Sequence, residues 1–329
     1  MNESLVNLLR RAAAIQRDGR RLVGCLVVNA RGSTPQPSGA LMLVDDAANI
    51  YGTVGGGCVE AEIRRRAFQM LNRGETGLMR FKLDHDYGWD DGLICGGTLE
   101  LAVAPLPDPD ELDRVVSDIE QHRATSLTLH LQTEGEPANF TLSLPPRERL
   151  YIAGAGHVGQ AIARHGLRLD FDVTVFDDRP DMLKRFAPDE VTQVSGDIAA
   201  QLANAPIDRD TYCIIVTRGH RHDEQALEAV LGRGAKYIGM IGSRRKVKLV
   251  FDDLIDRGVP RQELAKVHAP IGLDIDAVTV EEIAVSIVAQ LVKVRRQTRR
   301  AVVDGPQSRP QTPTQDQTIP SATHKGKAK

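Results

Sequence analysis

Short apolar runs set the pattern of the first third of the chain. LVGCLVV (22–28), ALMLV (40–44), RFKL (80–83) and TLELAV (98–103) have the length and composition of strands. Between them, VEAEIRRRAFQML (59–71) switches to helical spacing, with Ile63, Ala67, Met70 and Leu71 on one face. The opening stretch MNESLVNLLRRAAAIQRDGRR mixes apolar and charged positions in the same way and predicts a surface helix. A helix over 109–121 and a strand over 125–132 complete an α+β pattern. Pro137, Pro145 and Pro146 then interrupt the chain where neither a helix nor a central strand continues easily. A domain join is expected near Pro146, closing a first domain over residues 1–146.

Beyond it the pattern changes. LYIAG, DVTVFD, EVTQV, TYCIIVT and KYIGMIG are nearly continuous apolar runs separated by helical segments, the sequence form of a parallel sheet covered on both faces. Right-handed crossovers favour a doubly wound sheet over 147–303. Thr279-Val280-Glu281-Glu282 is a capping box that opens a helix carrying Ile283, Ile287 and Leu291. Its broad apolar surface suits packing between domains or between two copies of the chain in a homodimer. From about Asp304 the residues are rich in Pro, Gln, Thr and Ser, too polar to offset their ordering entropy, so 304–329 reads as a disordered tail.

Composition narrows the function classes. The 329 residues suffice for two packed domains, and a net charge of −2 provides no global field toward nucleic acid or an anionic membrane. Any anion site must be local. The N-terminus has no h-region or cleavage site, and the apolar stretch from Ile283 to Val294 is broken by Ser286, Gln290 and Lys293. Cys25, Cys58, Cys95 and Cys213 form no CxxC pair, which points to reduced thiols in the cytoplasm.

Three segments carry candidate chemistry. Gly154-Ala155-Gly156-His157-Val158-Gly159 follows a strand, opens a helix and precedes Asp177 at the end of the next strand, the dinucleotide fingerprint. Gly154 would make the tight turn, Gly156 would let a pyrophosphate approach, and Gly159 would pack helix on strand. Asp177 would accept from ribose hydroxyls, while His157 either touches the ligand or sits at a solvated cap. The fold class is therefore α/β, an α+β domain followed by a Rossmann-like doubly wound parallel sheet. At the same sheet edge come Arg218-Gly219-His220-Arg221-His222-Asp223 and Ser243-Arg244-Arg245-Lys246. Cations in a helix's first turn oppose its dipole unless an anion binds there; the alternative is a solvated charge run. His220, His222 and Asp223 could ligate a metal, although Asp223 is better used as a helix N-cap. In the first domain, Gly55-Gly56-Gly57-Cys58 would leave amides free for an anion and set Cys58 near a helix N-terminus, and Cys95 lies beside Gly96. Cys58 and Cys95 are expected to share one pocket, the alternative being small residues buried in tight turns; Cys25 and Cys213 read as inert core.

These segments, together with Gly32-Ser33-Thr34-Pro35, GTVGGGCVE, ICGG, VFDDRP, TRGHRHD, YIGMIGSRRK and APIGLDI in this order, resemble the xanthine dehydrogenase accessory factor family. The resemblance implies an N-terminal accessory domain, a C-terminal Rossmann domain, and a chaperone that binds a molybdopterin-type molybdenum cofactor. It further implies that the cofactor passes to an apo molybdenum hydroxylase of the xanthine dehydrogenase or aldehyde oxidase type, with a cysteine desulfurase supplying sulfur in some members. Gln36 and Leu41 stand where the family often carries basic residues. Two other readings compete: an NAD(P)-dependent oxidoreductase, with His220 and His222 as catalytic candidates, and a redox sensor using Cys58 and Cys95. Neither nucleic acid nor membrane is expected as a partner.

Overall fold

The computed structural model describes residues 4–83, 97–132, 137–298 and 302–306. The first half opens with α1 (Leu5–Arg17), β1 (Leu22–Arg31), β2 (Leu41–Asp45) and β3 (Ile50–Gly52). There follow α2 (Gly57–Arg73), β4 (Gly77–Lys82), β5 (Thr98–Pro105), α3 (Pro109–Glu120), β6 (Thr125–Leu131) and β7 (Ala138–Leu144). Five of these strands form an antiparallel sheet in the order β3-β2-β1-β5-β4. Both of its faces are covered, which is why β1 and β5 are apolar without alternation. Leu22, Leu26, Leu43 and Ala104 pack with α1, α3 and the β6-β7 hairpin; Val23, Cys25, Val27 and Leu101 pack with Ile63, Ala67 and Leu71 of α2.

β7 lies between Pro137 and Pro145, where the sequence suggested only a boundary. Its residues alternate, with Phe140, Leu142 and Leu144 buried, and the prolines mark the ends of a two-sided strand.

The second half contains β8 (Arg149–Ala153), α4 (His157–Arg168), β9 (Asp172–Asp177), α5 (Pro180–Leu183), β10 (Thr192–Ser195) and α6 (Ile198–Asn204). β11 (Thr211–Ile215), α7 (His220–Val230), β12 (Tyr237–Met240), α8 (Arg244–Asp256), α9 (Arg261–Leu264) and α10 (Val280–Thr298) complete it. The strands form a five-stranded parallel sheet in the order β10-β9-β8-β11-β12, a doubly wound arrangement. One face packs on α4 and α10, the other on α6, α7 and α8. The capping box forms as expected: Thr279 Oγ1 accepts from the Glu282 amide (3.3 Å), and Glu282 Oε2 accepts from the Thr279 amide (2.8 Å). The chain then returns to the first half, where β13 (Val303–Asp304) pairs antiparallel with β7 at Leu142 and Thr141. Most of the expected tail, 307–329, lies outside the described residues.

Charged groups fasten the second half and link it to the first. Glu148, 1% exposed, accepts from the Tyr212 hydroxyl and Lys236 Nζ and pairs with Arg295 of α10 at 2.5 Å. His122, just after α3, meets Asp172 at 2.9 Å. Among the described residues no helix is long and apolar enough to cross a membrane.

Candidate functional site

The strand order reverses between β8 and β11, so their carboxyl ends flank a crevice of the kind that takes ligands in open parallel sheets. The fingerprint loop lines it. Gly154 has φ +117°, and a Cβ there would come within 2.5 Å of the Val216 carbonyl oxygen, so the loop runs tight against the β11 end. A Cβ on Gly159 would lie 2.0 Å from the Gly154 oxygen, which ties helix to strand as the spacing implied. Gly156 differs: a Cβ there meets nothing within 4 Å among the described residues, leaving its backbone open to an approaching group. Gly156 is also the N-cap of α4 and supplies no side-chain cap. His157, the first residue of α4, is exposed.

Asp177 does not present its carboxylate outward as the fingerprint suggested. It is 1% exposed. Oδ1 accepts from the Arg179 amide (2.9 Å) and Nε (2.8 Å), and Oδ2 from the Ala155 amide (2.7 Å) and Arg179 Nη2 (2.9 Å). Burial alone would raise its pKa, but these charge-assisted bonds outweigh burial and hold it at about 2. Arg179 lies only two residues beyond, so its guanidinium folds back as a fork over the acid. Arg218 from the loop after β11 donates to Asp178 Oδ2 at 2.6 Å, bridging to the loop after β9.

The basic rim divides into paired and unpaired cations. His220, Arg245 and Lys246 line one groove of about 390 Å³ with Gly219, Ser243 and Leu249. The Lys246 ammonium, however, pairs with Asp223, which is fully buried and also accepts from the Thr217 hydroxyl (2.6 Å). Asp223 is therefore not an N-cap: α7 starts earlier, at His220 behind Gly219, and the acid lies in the first turn as a tie to α8. Arg244 and Arg245 are exposed, and their side chains have no partner within hydrogen-bond or ion-pair distance among the described residues. Arg244 also lines a cleft of about 600 Å³ formed with the 270–277 loop and Ser286. Among the described residues no group of three potential ligands could hold a metal ion.

In the first half, the glycine amides are less free than their number implied. Glu60 Oε2 accepts from the Thr53 hydroxyl (2.5 Å) and from the amides of Val54 (3.3 Å) and Gly56 (3.1 Å), and the Gly55 amide donates to Thr53 Oγ1 (3.2 Å). A carboxylate of the chain thus takes part of the loop. Among the described residues nothing lies within 4 Å of a Cβ built on Gly56 (φ +74°) or Gly57 (φ +65°), and Cys58 is the second residue of α2. The Cys58 side chain, Cys95 and Gly96 lie outside the described residues. The flanks converge all the same: a Cβ on Gly55 would meet Pro35 at 2.5 Å, and one on Gly97 would meet the Ser33 oxygen at 2.4 Å. Cys25 and Cys213 are buried, and burial pushes each thiol up to about 12, as inert core requires.

Sequence reasoning missed Arg179, the Arg218–Asp178 bridge and the Asp223–Lys246 pair. The run Asp177-Asp178-Arg179 directly after a strand carried the signal for the first.

Residues 15–82 match the model of the XdhC and CoxI family, and residues 150–291 match that of the XdhC Rossmann domain. The chain belongs to the XdhC and CoxI family. Its family-matched stretches include Gly55–Cys58 in the first half and the fingerprint, Asp177, His220 and Arg244–Lys246 in the Rossmann domain. The chain is 28% identical over 292 residues to the uncharacterized protein YqeB of Escherichia coli K12, covering 88% of this chain but only 46% of YqeB. It is 27% identical over 300 residues to the molybdenum cofactor insertion chaperone PaoD of the same strain, covering 88% of each. A solved structure described as a xanthine dehydrogenase from Bacillus halodurans superposes with a TM-score of 0.78 at 26% identity, covering 91% of this chain and 97% of that one.

Proposed function

We propose that the chain is a non-catalytic carrier of a molybdopterin-type molybdenum cofactor, which it delivers to an apo hydroxylase of the xanthine dehydrogenase or aldehyde oxidase type. The observation that carries this reading is the open Gly156 backbone at the uncapped start of α4, at the switch point of a family Rossmann domain. Backbone amides and a helix N-terminus suit a phosphate group. His157, His220, Arg244 and Arg245 are exposed at the same sheet edge, where they would add charge or hydrogen bonds. Lys246 would hold the rim in shape through Asp223 rather than grip the cargo.

The donor set fits such a cargo in chemistry as well as charge. Gly56 and Gly57 have open space among the described residues, and Cys58 at the start of α2 is a soft donor suited to a sulfur-rich metal centre. Cys95 and Gly96 would extend that surface. Sulfuration of the cargo by a cysteine desulfurase, and a homodimer as the carrier form, belong to the same proposal. The name of PaoD supports the cargo, and the family membership supports the hydroxylase.

The test is mass spectrometry of small molecules released from the purified native chain, with Arg244→Ala and Arg245→Ala alongside. A pterin phosphate should be released from the wild type. Each variant should retain it at least about tenfold more weakly at low salt, since a well-ordered charged hydrogen bond is worth about 1.5–3 kcal/mol. Recovery of a nicotinamide nucleotide and no pterin would overturn the reading.

A further inference from the structure

The crevice between β8 and β11 has the backbone of a dinucleotide site, yet the acid that would set its nucleotide preference is already bound. In folds that take NAD, the acid at the end of the second strand accepts from the ribose hydroxyls. A carboxylate offers about four acceptor positions. At Asp177 they meet four donors of the chain itself: the amides of Ala155 and Arg179, and Nε and Nη2 of Arg179. The acid is 1% exposed and the Arg179 side chain 33%, so a ligand reaching this corner meets guanidinium before carboxylate. The Arg218–Asp178 pair, at 2.6 Å, joins the loops on either side of the fingerprint loop.

We propose that Arg179 is the specificity-determining residue of this crevice: by clasping Asp177 it removes the ribose acceptor, so the crevice rejects nicotinamide dinucleotides and takes a phosphate-bearing ligand with no ribose seated on Asp177. A ribose diol brings neutral hydroxyls, which cannot replace a two-bonded guanidinium on a buried carboxylate. The 2′-phosphate of NADP(H) fares no better, because drawing Arg179 toward it would strip the same buried acid of its counter-charge. A phosphate on the α4 amides asks for neither exchange. The inference rests on the crevice being a phosphate site, as proposed above, and assigns which phosphate compounds enter it.

Binding of NADH and NADPH to the full chain, read by nicotinamide fluorescence and by calorimetry, tests it. The wild type should show no saturable binding of either up to roughly millimolar concentration. Arg179→Ala exposes Asp177 and should gain NADH affinity of at least about tenfold, or 1.4 kcal/mol. Asp177→Asn added to that variant should lose most of the gain. Arg179→Gln, too short to form the fork, serves if the alanine variant melts early. Saturable NADH or NADPH binding by the wild type overturns the proposal, and so does a folded Arg179 variant with no gain. Failure of the wild type to retain a pterin would sink the carrier reading alone, because these nucleotide titrations do not depend on it.

Discussion

At the scale of single residues, Asp177 shows how one side chain changes the meaning of a motif. Its pKa is held at about 2 against an ordinary value of 3.8, so the native state stabilises the ionised form. A depressed carboxyl contributes stability that is complete above its unfolded pKa and is lost as the pH falls toward the folded one. For Asp177 that window runs from about 4 down to about 2, and the contribution above it is about 2 kcal/mol. Asp177→Asn should therefore cost about 2 kcal/mol near neutral pH and much less near pH 2, flattening the acid limb of stability. Urea titrations of both proteins across that range measure it. An unchanged acid limb would mean that the Arg179 fork is not held in solution.

At the scale of elements, legibility followed periodicity. The parallel strands, the α2 stripe of Ile63, Ala67 and Leu71, and the Thr279 capping box could be read because spacing alone specifies them. β3 and β7 could not: one is three residues long, and the other hides between prolines that also look like a linker. Gly154 and Gly159 of the fingerprint were legible in role, since a tight turn and a close contact each require a missing Cβ. Partner choice was not, because the Asp177–Arg179, Asp223–Lys246 and Glu60–Gly56 contacts depend on side-chain direction rather than spacing. The Gly159 contact also yields an expectation. A methyl group there would press on the backbone oxygen of Gly154 at 2.0 Å, and a backbone atom cannot rotate away as a side chain can. Gly159→Ala should destabilise the Rossmann half by about 1–3 kcal/mol or shift the fingerprint loop. Denaturant titration of the variant, with unchanged stability as the adverse result, decides it.

At the scale of the whole molecule, the His122–Asp172 hydrogen bond and the β13–β7 pairing cross between the halves, while a buried charge cluster beneath the sheet edge opposite the crevice anchors α10 within the second half. Glu148 sits at the start of the second half and receives Lys236 from just before β12 and Arg295 from the end of α10. Arg295 also lies over the Phe171 ring at 3.9 Å and donates to the Leu169 carbonyl, so this one side chain fastens α10 to the turn between α4 and β9. From that fastening the chain goes on to β13, which pairs with β7 of the first half. Glu148 thus holds the last turns of α10 against the sheet edge. A pair buried this deeply gives little net gain over an apolar replacement, but removing one partner leaves charge uncompensated. Glu148→Ala should cost about 3–5 kcal/mol, because Lys236 and Arg295 would then face each other with no carboxylate between them. Lys236→Met in the same background should recover part of the loss by removing one stranded cation. Thermal unfolding of the single and double variants tests this. A Glu148→Ala loss below about 1 kcal/mol, the range of an exposed pair, would show that the cluster is solvated and does not fasten α10.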